Sequence, residues 1–311
     1  MGQSHNTNMT STRVMFDEKG DNGLILCDKY IPAELLVEIF CNTNLNTLLN
    51  CQLVCKRWKM LIQSYVWRKK GEMALGKPFP RGKDIPWNVF YFICKKKPFE
   101  KNLLKNHSGE CGVGRYWQII NQGGDRWAVE NPPAGVPELP LTEPVFEGKQ
   151  NCFVTSYQHC LKVQQIDLIA EGFTPYVLDV LQPPIEVSEW YSCRWDCPAV
   201  YECQVRLLKG ENSLSACSNY STKHKLNVLD VFEFQDNLEG EKQNEWFRVS
   251  HIFENYGPGV RKINFSHGGI DRSFWAGHYG SKMAGACVYV RVPSIKCTYD
   301  DEIDTPSIID E

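Results

Sequence analysis

The sequence predicts an α+β chain in two parts: a small all-α unit of three short helices near the N-terminus, followed by a β half built as a sandwich or barrel. Two observations carry this. Between Ile31 and Ile62 apolar residues recur at helical spacing. From about residue 111 onward the period changes to two, and turn clusters punctuate the runs. At 311 residues the length accommodates about two domains.

In the first part, Pro32 suits the opening turn of a helix, where a missing N–H costs nothing. Leu35, Leu36, Ile39 and Phe40 then fall at i, i+1, i+4 and i+5, on one face. An Asn/Thr-rich break runs from Asn42 to Asn46, and Asn46 or Thr47 is the expected cap of a second segment carrying Leu48, Leu49, Leu53 and Val54. Val54, Trp58, Leu61, Ile62 and Tyr65 extend a stripe at 3.6 spacing. A unit below ~40 to 50 residues needs a metal, disulfides or a partner to cover its apolar surface. No metal-ligand spacing occurs in this stretch, so a partner is expected; the alternative is an ordinary helical hairpin packed on its own domain.

Gly71 to Asp84 holds Gly71, Gly76, Pro78, Pro80 and Gly82, a connector too punctuated for a long helix or strand. Trp87 to Cys94 is apolar and reads as a helical spacer. In the β half, Tyr201, Cys203, Val205 and Leu207 alternate with Glu202, Gln204 and Arg206. Ala286, Val288, Val290 and Val292 alternate in the same way, as do Phe247, Val249, His251 and Phe253, with Ile263 and Phe265 a fourth run. Clusters such as Asn121 to Asp125 and Tyr256 to Gly259 separate such runs. Residues 1 to 24, polar and rich in Asn, Ser and Thr, are expected to be disordered, and the acidic tail of residues 294 to 311 to be flexible.

Composition excludes several classes. The formal charge of −3 argues against a nucleic-acid partner, since phosphate binding rests on clustered positive charge. No apolar run reaches the ~18 residues of a spanning helix, and the polar N-terminus lacks the core of an export signal, so neither membrane insertion nor secretion is expected. In a reducing, cytoplasmic setting the 14 cysteines are thiols. The sequons at Asn8, Asn106, Asn219 and Asn264 are then chance matches. No cofactor or metal is implied.

The opening Ile31-Pro32-Ala33-Glu34-Leu35-Leu36-Val37-Glu38-Ile39-Phe40 and the closing Val54-Cys55-Lys56-Arg57-Trp58-Lys59-Met60-Leu61-Ile62 resemble the F-box family. The resemblance implies an F-box at residues 25 to 70 that docks on the Skp-type linker subunit of a Skp/cullin/F-box (SCF) ubiquitin ligase, and through it on a cullin. Pro32, Leu36, Ile39, Val54, Cys55 and Trp58 would face the linker subunit. A linker at residues 71 to 85 would follow.

The β half carries Asn121-Gln122-Gly123-Gly124-Asp125-Arg126-Trp127, Phe153-Val154-Thr155-Ser156-Tyr157, Asp167 to Gly172, Glu189-Trp190-Tyr191-Ser192, Asn255 to Val260 and His267-Gly268-Gly269-Ile270-Asp271. These phrases resemble the F-box-associated (FBA) domain over residues 86 to 293, and the whole is similar to the sugar-recognising F-box proteins. That similarity implies a ten-stranded antiparallel sandwich, galactose-binding or jelly-roll-like, whose loops at one end grip the chitobiose core of high-mannose N-glycans on misfolded glycoproteins. Phe274, Trp275 and Ala276 align with the family's contact triplet, Arg194, Trp195 and Asp196 with a second contacting loop, and Tyr157 is a third candidate. Phe274 replaces the usual Tyr and gives up a hydroxyl, and His278 stands where Trp is commoner.

The residues themselves suit a sugar, which offers apolar C–H faces and a rim of hydroxyls and is held by flat aromatic surfaces with a few placed polar groups. An adaptor that reads a protein surface with the same loops is the alternative. A hydrolase would need two carboxyl groups across the scissile bond, for which Asp271 and Asp196 could be proposed, or a nucleophile such as Cys160 beside His159. The chain is instead expected to be a non-catalytic adaptor, with ubiquitin transfer performed by other subunits.

Overall fold

A computed structural model of the chain describes residues 23–26, 29–80, 85–210 and 227–293. The expectations for Met1 to Asn22, for the tail, and for Asn8 and Asn219 lie outside the described residues. Two units separate, Met1–Lys69 and Lys70–Glu311.

In the first unit a short pair, β1 (Ile25–Leu26) and β2 (Lys29–Tyr30), precedes α1 (Ala33–Cys41), α2 (Leu45–Cys51) and α3 (Lys56–Leu61). A π-helical stretch at Ile62–Val66 then leads into α4 (Trp67–Leu75). Pro32 is the N-cap of α1, and the α2 cap is Asn44, whose side chain accepts from Thr47 N at 2.9 Å. The cap thus falls two residues ahead of Asn46, because an Asn oxygen satisfies the N–H three residues on. Leu53 and Val54 occupy a turn between α2 and α3, so the stripe expected to begin at Val54 is helical only from Lys56.

Leu36, Phe40, Leu48, Leu61, Ile62 and Val66 are buried and form this unit's core. Leu36 therefore does not lie on the outward face to which the family resemblance assigned it. Residues four apart share a row on a helix, and the rows Leu36/Phe40 and Leu35/Ile39 diverge: the first turns inward, the second is exposed.

In the second unit α4 continues through Gly71, where a connector was expected; a Cβ there would stand 2.9 Å from Phe90 Cδ1, so the residue admits close packing of α5 (Trp87–Lys96). The strands that follow are β3 (Gln118–Gln122), β4 (Ala128–Glu130), β5 (Cys152–Val154), β6 (Cys160–Asp167), β7 (Ile185–Ser192), β8 (Ala199–Lys209), β9 (Val228–Leu238), β10 (Phe247–Phe253), β11 (Val260–Asp271) and β12 (Lys282–Val290), with a one-turn α6 (Leu168–Glu171) after β6. They form two five-stranded sheets, ordered β10-β7-β12-β5-β4 and β3-β6-β11-β8-β9, and every pairing is antiparallel. This is the ten-stranded sandwich that the resemblance implied.

β8 keeps the alternation read in the sequence. β12 does not: it is buried along almost its whole length. Along β12, β5 pairs only with Lys282 and Met283, and beyond them the amides of Glu100 and Leu103 donate to the Val290 and Val288 carbonyls, covering the remaining edge. Asn106 is buried, its amide donating to the Gly112 and Arg115 carbonyls, which makes it a structural residue rather than a glycan acceptor. The eleven described cysteines are free thiols. Among the described residues no helix is long and apolar enough to cross a membrane.

Phe153, Val163, Val187, Tyr201, Val205, Phe265 and Val288 are buried in the sandwich. Set among them is a polar strip. Lys162 and His267 are register partners on β6 and β11, and His267 Nδ1 lies 2.5 Å from Glu189 Oε1 of β7, in the opposite sheet. Tyr201 OH donates to the other Glu189 oxygen at 2.5 Å. His267 stacks on Trp117 with centroids 4.4 Å apart, and Lys162 Nζ lies among the Trp117, Trp127 and Phe153 rings. Burial pushes the pKa of Lys162 well below the ordinary lysine value and that of His267 below the ordinary histidine value.

Five connections pass from one sheet to the other at a single end: β3 to β4, β5 to β6, β7 to β8, β9 to β10 and β11 to β12. The register fixes this, because Asp271 pairs with Ala199 and Ala199 with Leu238, while Lys282 pairs with both Ser192 and Val154. Each crossover must bridge two sheets, so it leaves a loop standing off the strands.

Candidate functional site

The crossover end gathers the residues of the sandwich that the sequence singled out. The β11–β12 loop is anchored at Asp271, whose backbone N–H donates to Ser156 O and whose Oδ1 accepts Phe274 N at 2.5 Å. That bond closes a turn and holds Phe274 at φ 59, in the left-handed region that side-chain-bearing residues rarely enter. Asp271 is buried and its pKa is raised, chiefly by loss of solvent. Farther along, Gly277 N donates to Asp125 Oδ2 at 2.5 Å, Gly277 O accepts from Ser156 Oγ at 2.7 Å, and His278 Nε2 lies 3.1 Å from the Asp125 carbonyl oxygen. His278 thus ties this loop to the Gly123–Arg126 turn.

Held this way, Phe274 is 67% and Trp275 44% exposed, and Ala276 is exposed beside them. Two apolar side chains are thus kept out in water by a strained, multiply bonded loop. The half-buried Tyr157 packs edge-on against Phe274, with centroids 5.4 Å apart.

The β7–β8 loop supplies the second group. Arg194 forms a two-point pair with Asp196 (2.7 and 2.8 Å), which holds the Asp196 carboxyl below the usual range and raises the Arg194 guanidinium. Trp195, between them, is 65% exposed, while its backbone N–H donates to Gly135 O. Gln243 donates to the Arg194 and Trp195 carbonyls, adding the β9–β10 connection as a brace. The Arg194 guanidinium lies 4.7 Å from the Tyr279 ring centroid, and Tyr279 meets Trp275 edge-on at 5.6 Å. Tyr279, to which the sequence assigned no role, is therefore the link between the two groups.

The carboxyl and thiol alternatives find other partners. Asp196 is neutralised by Arg194, and Asp271 is turned inward onto Phe274 N. Cys160 is buried with its thiol pKa raised by desolvation, and its Sγ contacts the Gly123 and Gln158 carbonyls. His159 Nε2 pairs with Glu202 at 2.5 Å and Nδ1 faces Asn121 at 3.3 Å, so both nitrogens are engaged elsewhere. Among the described residues no group of three or more His, Cys, Asp or Glu could hold a metal ion.

In the helical unit, Ile39 (51%) and Val54 (63%) are exposed, together with Leu35, Leu53 and Tyr65. Pro32, Cys55 and Trp58 are half-buried. Cys55 is the N-cap of α3, its Sγ accepting from Trp58 N at 3.5 Å. Trp58 packs edge-on to Phe40 and donates from Nε1 to Gly23 O at 2.6 Å, so much of its bonding capacity is internal.

Comparison with known proteins accords with both units. The F-box-like family model matches residues 29–71 and the F-box associated region matches residues 94–290. F-box only protein 6 of Rattus norvegicus is 36% identical over 268 residues, covering 84% of this chain and 85% of that protein. F-box only protein 44 of Homo sapiens is 34% identical over 271 residues, covering 85% of this chain and 96% of its own. Among solved structures, a carbohydrate-binding module in complex with β-1,4-galactotriose aligns with TM-score 0.34 at 11% identity, over 62% of this chain and all of that one. The chain belongs to the family of F-box proteins that carry an F-box-associated region.

Proposed function

We propose that this protein is a substrate-recognition subunit of an SCF ubiquitin ligase that binds the chitobiose core of high-mannose N-glycans on misfolded glycoproteins, in the cytoplasm, for ubiquitination and degradation. Residues 25 to 70 form the F-box and dock on the Skp-type linker subunit; residues 86 to 293 form the recognition domain. The protein is an adaptor and leaves the transfer chemistry to its partners.

The observation that carries the glycan reading is the exposed trio Phe274, Trp275 and Trp195 at the crossover end. Around it the charges are matched internally, Arg194 with Asp196 and Arg272 with Glu239, while Asp125 accepts Gly277 N. Flat apolar faces framed by neutralised charges suit a neutral sugar, whose C–H faces stack on rings and whose hydroxyls take single hydrogen bonds. The decisive experiment is retention of the chain on immobilised chitobiose and on a high-mannose glycoprotein. Trp275→Ala is expected to abolish retention on both, and retention unaffected by it sinks the glycan reading.

The missing hydroxyl of Phe274 favours a second reading, a protein surface gripped by the same apolar loops. Enzymatic removal of the glycan separates the two: a client still captured after deglycosylation is recognised through its polypeptide.

A further inference from the structure

Tyr279 is fixed on several sides. The Arg194 guanidinium lies over its ring at 4.7 Å, and Trp275 meets it at 5.6 Å with the ring planes 86° apart. Two glycines make that packing possible. At Gly277 (φ +116) a Cβ would stand 2.8 Å from Tyr279 Cε2, and at Gly135 (φ +68) a Cβ would stand 2.8 Å from Arg194 Cζ. Arg194 is thus held between the Gly135 backbone and the Tyr279 ring, with its fork spent on Asp196 at 2.7 and 2.8 Å. The Arg194 and Asp196 side chains are only 18% and 22% exposed, against 65% for Trp195 between them.

We propose that Tyr279 is the positioning residue of the sugar-binding end. Clamped by the Arg194–Asp196 pair, it props the Trp275 indole in its exposed orientation, and Arg194 and Asp196 act on binding through it rather than by touching the ligand. This rests on the glycan reading for its effect on affinity, but not for its effect on Trp275. The physical reason is entropic and electrostatic together. An exposed indole on a loop would otherwise lose rotamer freedom when it stacks on a sugar, and a prop fixes it beforehand. A guanidinium over the other aromatic partner adds attraction that a neutral side chain does not supply. The bidentate pair keeps that guanidinium in plane, which a lysine could not do.

The test uses the full chain labelled with 5-fluorotryptophan, the Trp275 resonance being assigned by its loss in Trp275→Phe. Spectra are recorded without sugar, and chitobiose binding is measured by calorimetry. Tyr279→Phe keeps the ring and is expected to match the parent in both. Tyr279→Leu removes the ring; the Trp275 resonance should shift and chitobiose binding weaken about tenfold, the scale of one lost aromatic contact. Arg194→Gln loosens the clamp from the other side and should move the same resonance, which keeps the test open should Tyr279→Leu fail to fold. An unmoved Trp275 resonance in the folded variants overturns the proposal. So does Tyr279→Phe weakening binding as much as Tyr279→Leu, since the hydroxyl would then be a direct ligand contact. If the parent binds no chitobiose, the glycan reading fails, while the fluorine spectra still decide whether Tyr279 positions Trp275.

Discussion

Ile39→Ala and Leu36→Ala, three residues apart on α1, should fail in different ways. Leu36 is 1% exposed, and truncating a buried Leu costs ~2 to 5 kcal/mol. A unit of roughly fifty residues at ~0.05 to 0.15 kcal/mol per residue holds about 2.5 to 7.5 kcal/mol, so this substitution removes much or all of its stability. Ile39 is 51% exposed, so a partner would cover about half of a side chain worth ~1.5 to 3 kcal/mol in full burial, or ~1 kcal/mol. Its truncation should leave the fold intact and weaken linker-subunit binding about fivefold. Hydrogen exchange of the α1 to α3 amides reports the fold, and calorimetry with the purified linker subunit reports the docking. If Leu36→Ala keeps parental protection but loses binding, or if Ile39→Ala binds like the parent, the division of α1 into an inner and an outer row is wrong.

Restoring the hydroxyl with Phe274→Tyr should tighten chitobiose binding, since one new hydrogen bond contributes ~0.5 to 1.5 kcal/mol net, about two- to tenfold in affinity by calorimetry; no gain would place the ligand away from that edge. Acid should weaken the sandwich through His267: burial lowers its folded pKa, the unfolded chain takes up a proton near 6.5 that the native state refuses, and stability falls as pH drops below that value. His159 carries the opposite sign, because Glu202 raises its pKa; the stability it adds is complete below 6.5 and is lost as pH rises through the raised value. Urea unfolding of the parent and of His267→Gln between pH 5 and 8 checks the first, and an acid slope that survives the substitution would assign it to another group. Lys162 Nζ lacks a hydrogen-bond partner among the described residues, so Lys162→Met should be neutral or stabilise by ~1 to 4 kcal/mol; a loss of ~3 to 5 kcal/mol would identify Lys162 as the counter-charge that Glu189 requires.

Much of the fold was legible without coordinates, because helical and strand periods are local properties of the chain. The α1 repeat, the Trp87 helix and the alternation in β8 follow from which neighbours i+2 or i+4 are apolar. The aromatic loop at Phe274 and Trp275 came instead from the family resemblance, and the exposure of its rings only from the structure. What no local pattern contains is which of two adjacent apolar rows meets the core, and so Leu36 and Ile39 parted only in three dimensions.

The same limit governs the site. The sequence by itself determined that the chain has an apolar helical unit, a β-sandwich and, through its resemblance to the F-box proteins, an aromatic loop between strands. The tertiary structure alone decided that the 193–198 and 271–281 loops meet at one end, that Asp196 is spent on Arg194, and that Tyr279 joins Arg194 to Trp275. The Arg194–Tyr279 contact joins residues 85 apart in the chain and arises from the antiparallel register of β8 on β11 and β7 on β12, which sets the loop ends side by side. Register depends on pairing between distant strands, and distant pairing is what a one-dimensional pattern does not encode.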